Sequence, residues 1–136
     1  MKARTLLLSG WLIFSGLGGY SEIFATESEM TQTVSGGGVT ARVTYLNSKS
    51  SDEPRFQIVL ETHSVNLDVY DLKTIAALRD DTGNIYPATG IETKGSGHHR
   101  EATLTFPKVS PESRRLEVVI KDVGGVKERI FRWDLQ

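Results

Sequence analysis

The chain has no cysteine in its 136 residues. No disulfide can staple it and no N-terminal thioether can tie it to lipid, so its stability has to come from a packed interior. It also lacks a hydrophobic run long enough for a permanent membrane span. The longest, from Leu6 to about Gly18, falls short of the ~18 to 20 residues that a bilayer core requires. Neither sign of charge dominates: 16 Lys and Arg face 17 Asp and Glu, a balance that argues against nucleic acid as a partner. Long helix-period segments, internal repeats and low-complexity tails are missing too, which removes bundles and solenoids from consideration.

The amino-terminal end carries a recognisable pattern. Lys2 and Arg4 precede the apolar run, and Ala25 offers a small residue before Thr26, as in a secretory signal spanning residues 1–25. The expectation is export through a cleavable signal peptide, to the periplasm or the medium, with no stable membrane span afterwards. Retention of the segment as an anchor is the alternative, since Glu22 and Ile23 are unusual so close to a cleavage point. Cleavage takes away Lys2, Arg4 and Glu22 and leaves 14 basic against 16 acidic side chains, a formal charge of −2. Residues 26–136 then form one domain, large enough for an independent core.

Within that domain the dominant period is two. Val39, Ala41, Val43 and Tyr45 alternate with Thr40, Arg42 and Thr44; Phe56, Ile58 and Leu60 alternate with Gln57, Val59 and Glu61. The pattern resumes at Ala102, Leu104 and Phe106, at Leu116, Val118 and Ile120, and through Ile130, Phe131 and Trp133. Gly36-Gly37-Gly38, Asp80 to Asn84 and Asp122 to Gly125 are turn signals. Met30–Val34 is expected as an edge strand. Asp71–Leu78 has helical propensity with Asp71 as cap, but the strong turn after it favours a strand over 74–79 returning through Ile85-Tyr86. Residues 87–97 are expected to be irregular. Seven or eight short strands point to an all-β fold, an antiparallel immunoglobulin-like β-sandwich.

Several segments carry a resemblance. Phe56-x-x-x-Leu60-x-Thr62-His63-Ser64-Val65-x-Leu67-Asp68, then Leu78-Arg79-Asp80-Asp81-x-Gly83, Gly97-His98-His99-Arg100, Leu104-x-Phe106-Pro107, and Asp122-Val123-Gly124-Gly125 before Arg129-x-Phe131-x-Trp133 span nearly all of the domain. Together they resemble a family of small exported bacterial immunoglobulin-like proteins of unknown function. The resemblance implies the sandwich and supplies no reaction.

Histidine is the one chemically distinctive component. Its three occurrences fall in two short polar segments, Thr62-His63-Ser64 and Gly97-His98-His99-Arg100. If successive strands run antiparallel and the 85–88 arm completes a crossing, both segments reach the same end of the sandwich. The turn at 36–38, the loop with Asp68 and Asp71, and the turn at Asp122 would join them. Imidazole with a carboxylate is a credible first shell for zinc or copper, so His63, His98, His99 and Asp68 form a candidate metal site. Calcium held by Asp68, Asp71 and Asp122 is a weaker variant. The plainer role is structural: histidines at strand ends, and Arg100 beside Glu61 or Asp68, commonly satisfy loop backbone and packing.

No catalytic constellation is evident. Ser64 lacks a nucleophile elbow and oxyanion donors, and Asp80-Asp81 reads as a turn. Tyr45, Tyr86, Phe131 and Trp133 read as core, while Arg114-Arg115 and the charges of Lys127–Arg132 read as a solvated strand face. The expectation is therefore a non-catalytic binding or structural module whose end loops contact a protein or small ligand of the cell envelope. An envelope metal-binding protein is the alternative.

Overall fold

The computed structural model describes residues 30–47 and 52–135. The signal segment expected at 1–25 lies outside the described residues. Among the described residues nine strands form two antiparallel sheets, one more strand than the upper expectation. They are β1 (Thr31–Gly36), β2 (Val39–Tyr45), β3 (Arg55–Thr62), β4 (Ala76–Asp80), β5 (Ile85–Pro87), β6 (Gly90–Ser96), β7 (His99–Thr105), β8 (Arg115–Val123) and β9 (Val126–Asp134). The first sheet has the order β1-β2-β3-β7-β6 and the second β5-β4-β8-β9. A 3-10 turn (Leu67–Val69) and one α-helical turn, α1 (Leu72–Ile75), precede β4, and Asp71 caps α1 by accepting from the Lys73 amide. The strand expected over 74–79 therefore begins two residues later, at Ala76, because Thr74 and Ile75 belong to the helical turn that Asp71 caps. No helix among the described residues is long and apolar enough to cross a membrane.

The strand that sequence patterning misses is β6, where residues 87–97 were expected to be irregular. Its residues Glu92 to Ser96 are all exposed, so it carries no apolar alternation to reveal it. Only Ala88 and Thr89 separate it from β5. The two segments run the same way, β5 against β4 and β6 against β7. The chain thereby switches sheets, and β6 completes the crossing begun by β5.

One core fills the space between the sheets. Val39, Ala41, Val43, Phe56, Ile58 and Leu60 project from the first sheet, and Leu78, Leu116, Val118, Ile120, Phe131 and Trp133 from the second. Aromatic rings join the layers: Phe56 lies with its ring centre 5.0 Å from that of Trp133 and 4.9 Å from that of Tyr45. Burying each such ring stabilises the fold by roughly 1.5–3 kcal/mol. The expectation that Tyr45, Phe131 and Trp133 are core holds; Tyr86 is half-buried.

Candidate functional site

Three tight hairpins close at the same end of the molecule. The β1–β2 turn consists of Gly37 and Gly38 and the β8–β9 turn of Gly124 and Gly125, all four with positive φ, the backbone that a two-residue type I′ connection requires. The β6–β7 turn is Gly97-His98, with φ +67° at Gly97. Gly37 and Gly124 face each other so closely that a Cβ on Gly124 would stand 2.7 Å from the Gly37 carbonyl oxygen. No larger residue fits at that contact, whatever its backbone preference.

The loop between β3 and α1 arrives at this end as well, because Thr62 pairs with Val39 and Glu61 with His99. Its irregular backbone is tied down group by group. The Thr62 hydroxyl donates to the Gly38 carbonyl at 2.6 Å and accepts from the amides of Ser64 and Val65. Leu67 donates its amide to Gly97 O at 2.9 Å, and the Gly97 amide donates to Asp68 Oδ1 at 2.9 Å. Arg100 Nη1 donates to the carbonyls of Leu67 and Tyr70. The Tyr70 hydroxyl accepts from the Gly124 amide at 3.0 Å, linking the loop to the second sheet. Every one of these bonds satisfies a backbone group that a loop would otherwise leave unpaired.

Beneath the turns lies Arg129, 1% exposed. It sits on the inward face of β9 in step with Phe131 and Trp133, which corrects the reading of Lys127–Arg132 as a uniformly solvated face. Its Nη1 donates to the Val123 carbonyl at 2.6 Å and its Nη2 to the Gly36 carbonyl, so the guanidinium clasps the β8–β9 hairpin to the β1–β2 hairpin. Nε has no partner among the described residues. Burial pushes its pKa down, with the Tyr70 hydroxyl acting in the opposite direction. Guanidinium is the cation least penalised by such burial, being weakly hydrated and planar.

The histidines do share this end. His63 directly follows β3, His98 is the second turn residue and donates no side chain to the core, and His99 opens β7; all three are exposed. Their side chains, however, are differently engaged. His99 lies between two carboxylates, with Nδ1 3.4 Å from Glu61 and Nε2 3.9 Å from Glu101. Opposite ring nitrogens serve opposite neighbours, so Glu61 and Glu101 do not converge on one ion through that ring. Asp68 is committed to the Gly97 amide and Asp71 to capping α1. Asp122 occupies positive φ just ahead of the β8–β9 turn. Among the described residues, no group of three or more His, Asp or Glu side chains could hold a metal ion. Arg100 meets loop carbonyls rather than Glu61 or Asp68. Glu101 is not singled out from sequence, and Glu61 only as a partner for Arg100, although period two places Glu101 on the same face as His99.

Among the exposed side chains at this end that make no hydrogen bond within the described residues are His63, His98 and Val69, the last 70% exposed. No family model, curated protein or solved structure matches the chain.

Proposed function

We propose that this protein is an exported, non-catalytic immunoglobulin-like module that contacts a protein or small ligand of the cell envelope through the loops at its histidine end. Export is supported by the basic residues Lys2 and Arg4 ahead of the apolar stretch and by Ala25 before Thr26. The immunoglobulin-like reading is supported by strand order. With β2, β3, β7 and β6 taken as A, B, E and D, and β5, β4, β8 and β9 as C′, C, F and G, the sheets read A-B-E-D and C′-C-F-G. β1 is then an additional strand before A.

The observation that carries the contact surface is the division of labour within the end loops. Internal hydrogen bonds hold their backbone, while His63, Val69 and His98 remain exposed and uncommitted. Preorganisation of this kind lowers the entropy lost on association, and an exposed apolar side chain together with imidazoles at the same end offers both burial and hydrogen bonding to a partner.

Two measurements test this. N-terminal sequencing of the protein from the envelope fraction should begin at Thr26; an intact chain found only in the cytosol contradicts export. A photo-crosslinking amino acid placed at position 69 or 98 in the producing cells should give a discrete adduct, and one at Thr82, at the opposite end, should not. Adducts from position 82 alone, or from none of the three, contradict the assignment of the contact surface.

A further inference from the structure

A sandwich with open sheets has four edges, and three of them are blunted here. On one side β1 and β9 lie next to each other, and the Gln32 carboxamide on β1 bridges the gap. Its Nε2 donates to the Arg132 carbonyl and its Oε1 accepts from the Arg132 amide at 2.9 Å. On the other side β5 is three residues long and ends at Pro87, a residue without an amide to offer. Among the described residues that leaves β6, seven residues without proline, bonded to β7 along one side only. An edge of this length is a template for a further strand unless something opposes it.

What opposes indiscriminate pairing is charge. Thr93 sits opposite the buried Ala102 and Ile91 opposite the buried Leu104, so Glu92 and Lys94 occupy the outer face, opposite Thr103 and Glu101. Lys94 Nζ lies 3.7 Å from Glu101. A neutral strand laid on this edge would gain nothing from the two charges. A strand with an acidic residue facing Lys94 and a basic residue facing Glu92, two positions apart, would gain from both.

The chain itself contains such a strand: β6 read backwards. We propose that two copies of this protein associate edge to edge through β6, antiparallel, about a two-fold axis at Thr93. In that register Glu92 faces Lys94 of the partner subunit and Lys94 faces Glu92 of the partner subunit, while Thr93 meets Thr93 of the partner subunit. Two-fold pairing about an axis normal to the sheet keeps outer residues with outer residues, so the register can slip only in steps that preserve the face. One step to either side sets Glu92 against itself or Lys94 against itself, a like-charge pair in each case. The central register is therefore selected against its neighbours by the same two side chains. The two five-stranded sheets become one of ten strands, and the outer row Arg42, Val59, Glu101, Lys94 continues into Glu92 of the partner subunit. The histidine ends of the two copies then point in opposite directions along the joined sheet, because antiparallel strands carry them there.

Charge exchange tests this directly, by sedimentation equilibrium of the protein in its naturally processed form. The wild-type protein should show reversible dimerisation. Glu92→Lys and Lys94→Glu should each weaken it by at least about tenfold, since either change turns both cross-strand pairs into like-charge pairs. The double exchange Glu92→Lys/Lys94→Glu should restore it, and so should an equimolar mixture of the two single variants, in which every pair is again of opposite sign. All of these positions are exposed, and circular dichroism melts serve as the check that folding is retained. A wild-type protein monomeric at millimolar concentration overturns the proposal. So does a dimer indifferent to the single exchanges, or one that neither the double exchange nor the mixture restores.

Discussion

The two ends of the sandwich differ in how far their carboxylates are engaged. At the end where β4 turns into β5, Asp80 is consumed entirely. Its Oδ1 accepts from the amides of Thr82 and Asn84 and the Thr82 hydroxyl, and its Oδ2 from Tyr86 Oη at 2.7 Å and Ser113 Oγ at 2.8 Å. Asp81 reaches across to the amides of Arg114 and Arg115. Burial alone would raise the Asp80 pKa, yet the donors from Thr82, Tyr86, Ser113 and Asn84 outweigh it and hold the carboxyl far below the usual range. The Tyr45, Phe56 and Trp133 rings pack below this end, while Ile85 beside the turn stays 68% exposed. The histidine end is clasped from inside by Arg129 and leaves the outward His63, His98 and Val69 side chains free of hydrogen bonds among the described residues. At both ends carboxylates accept from loop amides; at the aspartate end Asp80 also gathers the Thr82, Tyr86 and Ser113 hydroxyls, whereas at the histidine end the His63 and His98 side chains make no hydrogen bond among the described residues.

The largest way to break this contrast is at the clasp. Arg129→Ala removes two bonds to carbonyls and opens a cavity, and should destabilise the protein by about 4 kcal/mol in urea unfolding. It should also loosen the histidine end more than the aspartate end. At the aspartate end, Asp80→Asn should cost about 2 kcal/mol at neutral pH, because charge-assisted bonds become neutral ones. The sign with pH follows from the depressed folded-state pKa. The carboxylate's contribution is fully present above its unfolded value near pH 4 and is lost as pH falls through the folded one. Wild type and Asp80→Asn should therefore converge in stability on acidification below about pH 4, which acid titration of their urea midpoints would show.

Smaller effects sharpen the comparison further. Asp68→Ala frees one exposed amide bond and should cost about 1 kcal/mol, chiefly as increased mobility of the β6–β7 turn. His63→Ala and His98→Ala should each stay within about 0.5 kcal/mol of wild type, since neither imidazole is buried. A large loss of stability at either histidine would mean that these side chains hold the fold rather than face a partner.

Much of the architecture was legible because the core strands are half-buried and period two records burial. β2, β3, β7, β8 and β9 all lie where alternation put them, and the glycine pairs fell at real hairpin turns. β6 was not legible for the same reason reversed: an exposed edge strand carries polar residues on both faces, so Gly90 to Ser96 looks like a loop. Arg129 was hidden by its neighbours, since Lys127, Glu128 and Arg132 are exposed and made the whole stretch look solvated. Counting back by twos from Trp133 and Phe131 would have placed it indoors. The gathering of His63, His98 and His99 at one end was legible from strand parity. What each ring faces was not, because Glu61 and Glu101 reach His99 only through the pairing of β3 with β7.

The account depends most on the histidine-end loops being held in place in the free protein. Amide hydrogen exchange at Gly97 and Gly124 reads this directly, because their N–H groups donate to Asp68 Oδ1 and to Tyr70 Oη. Both should exchange at least about a hundredfold more slowly than in an unstructured peptide. Exchange at the unstructured rate at both glycines, while the Val118 amide in β8 stays protected, would contradict a preformed contact surface.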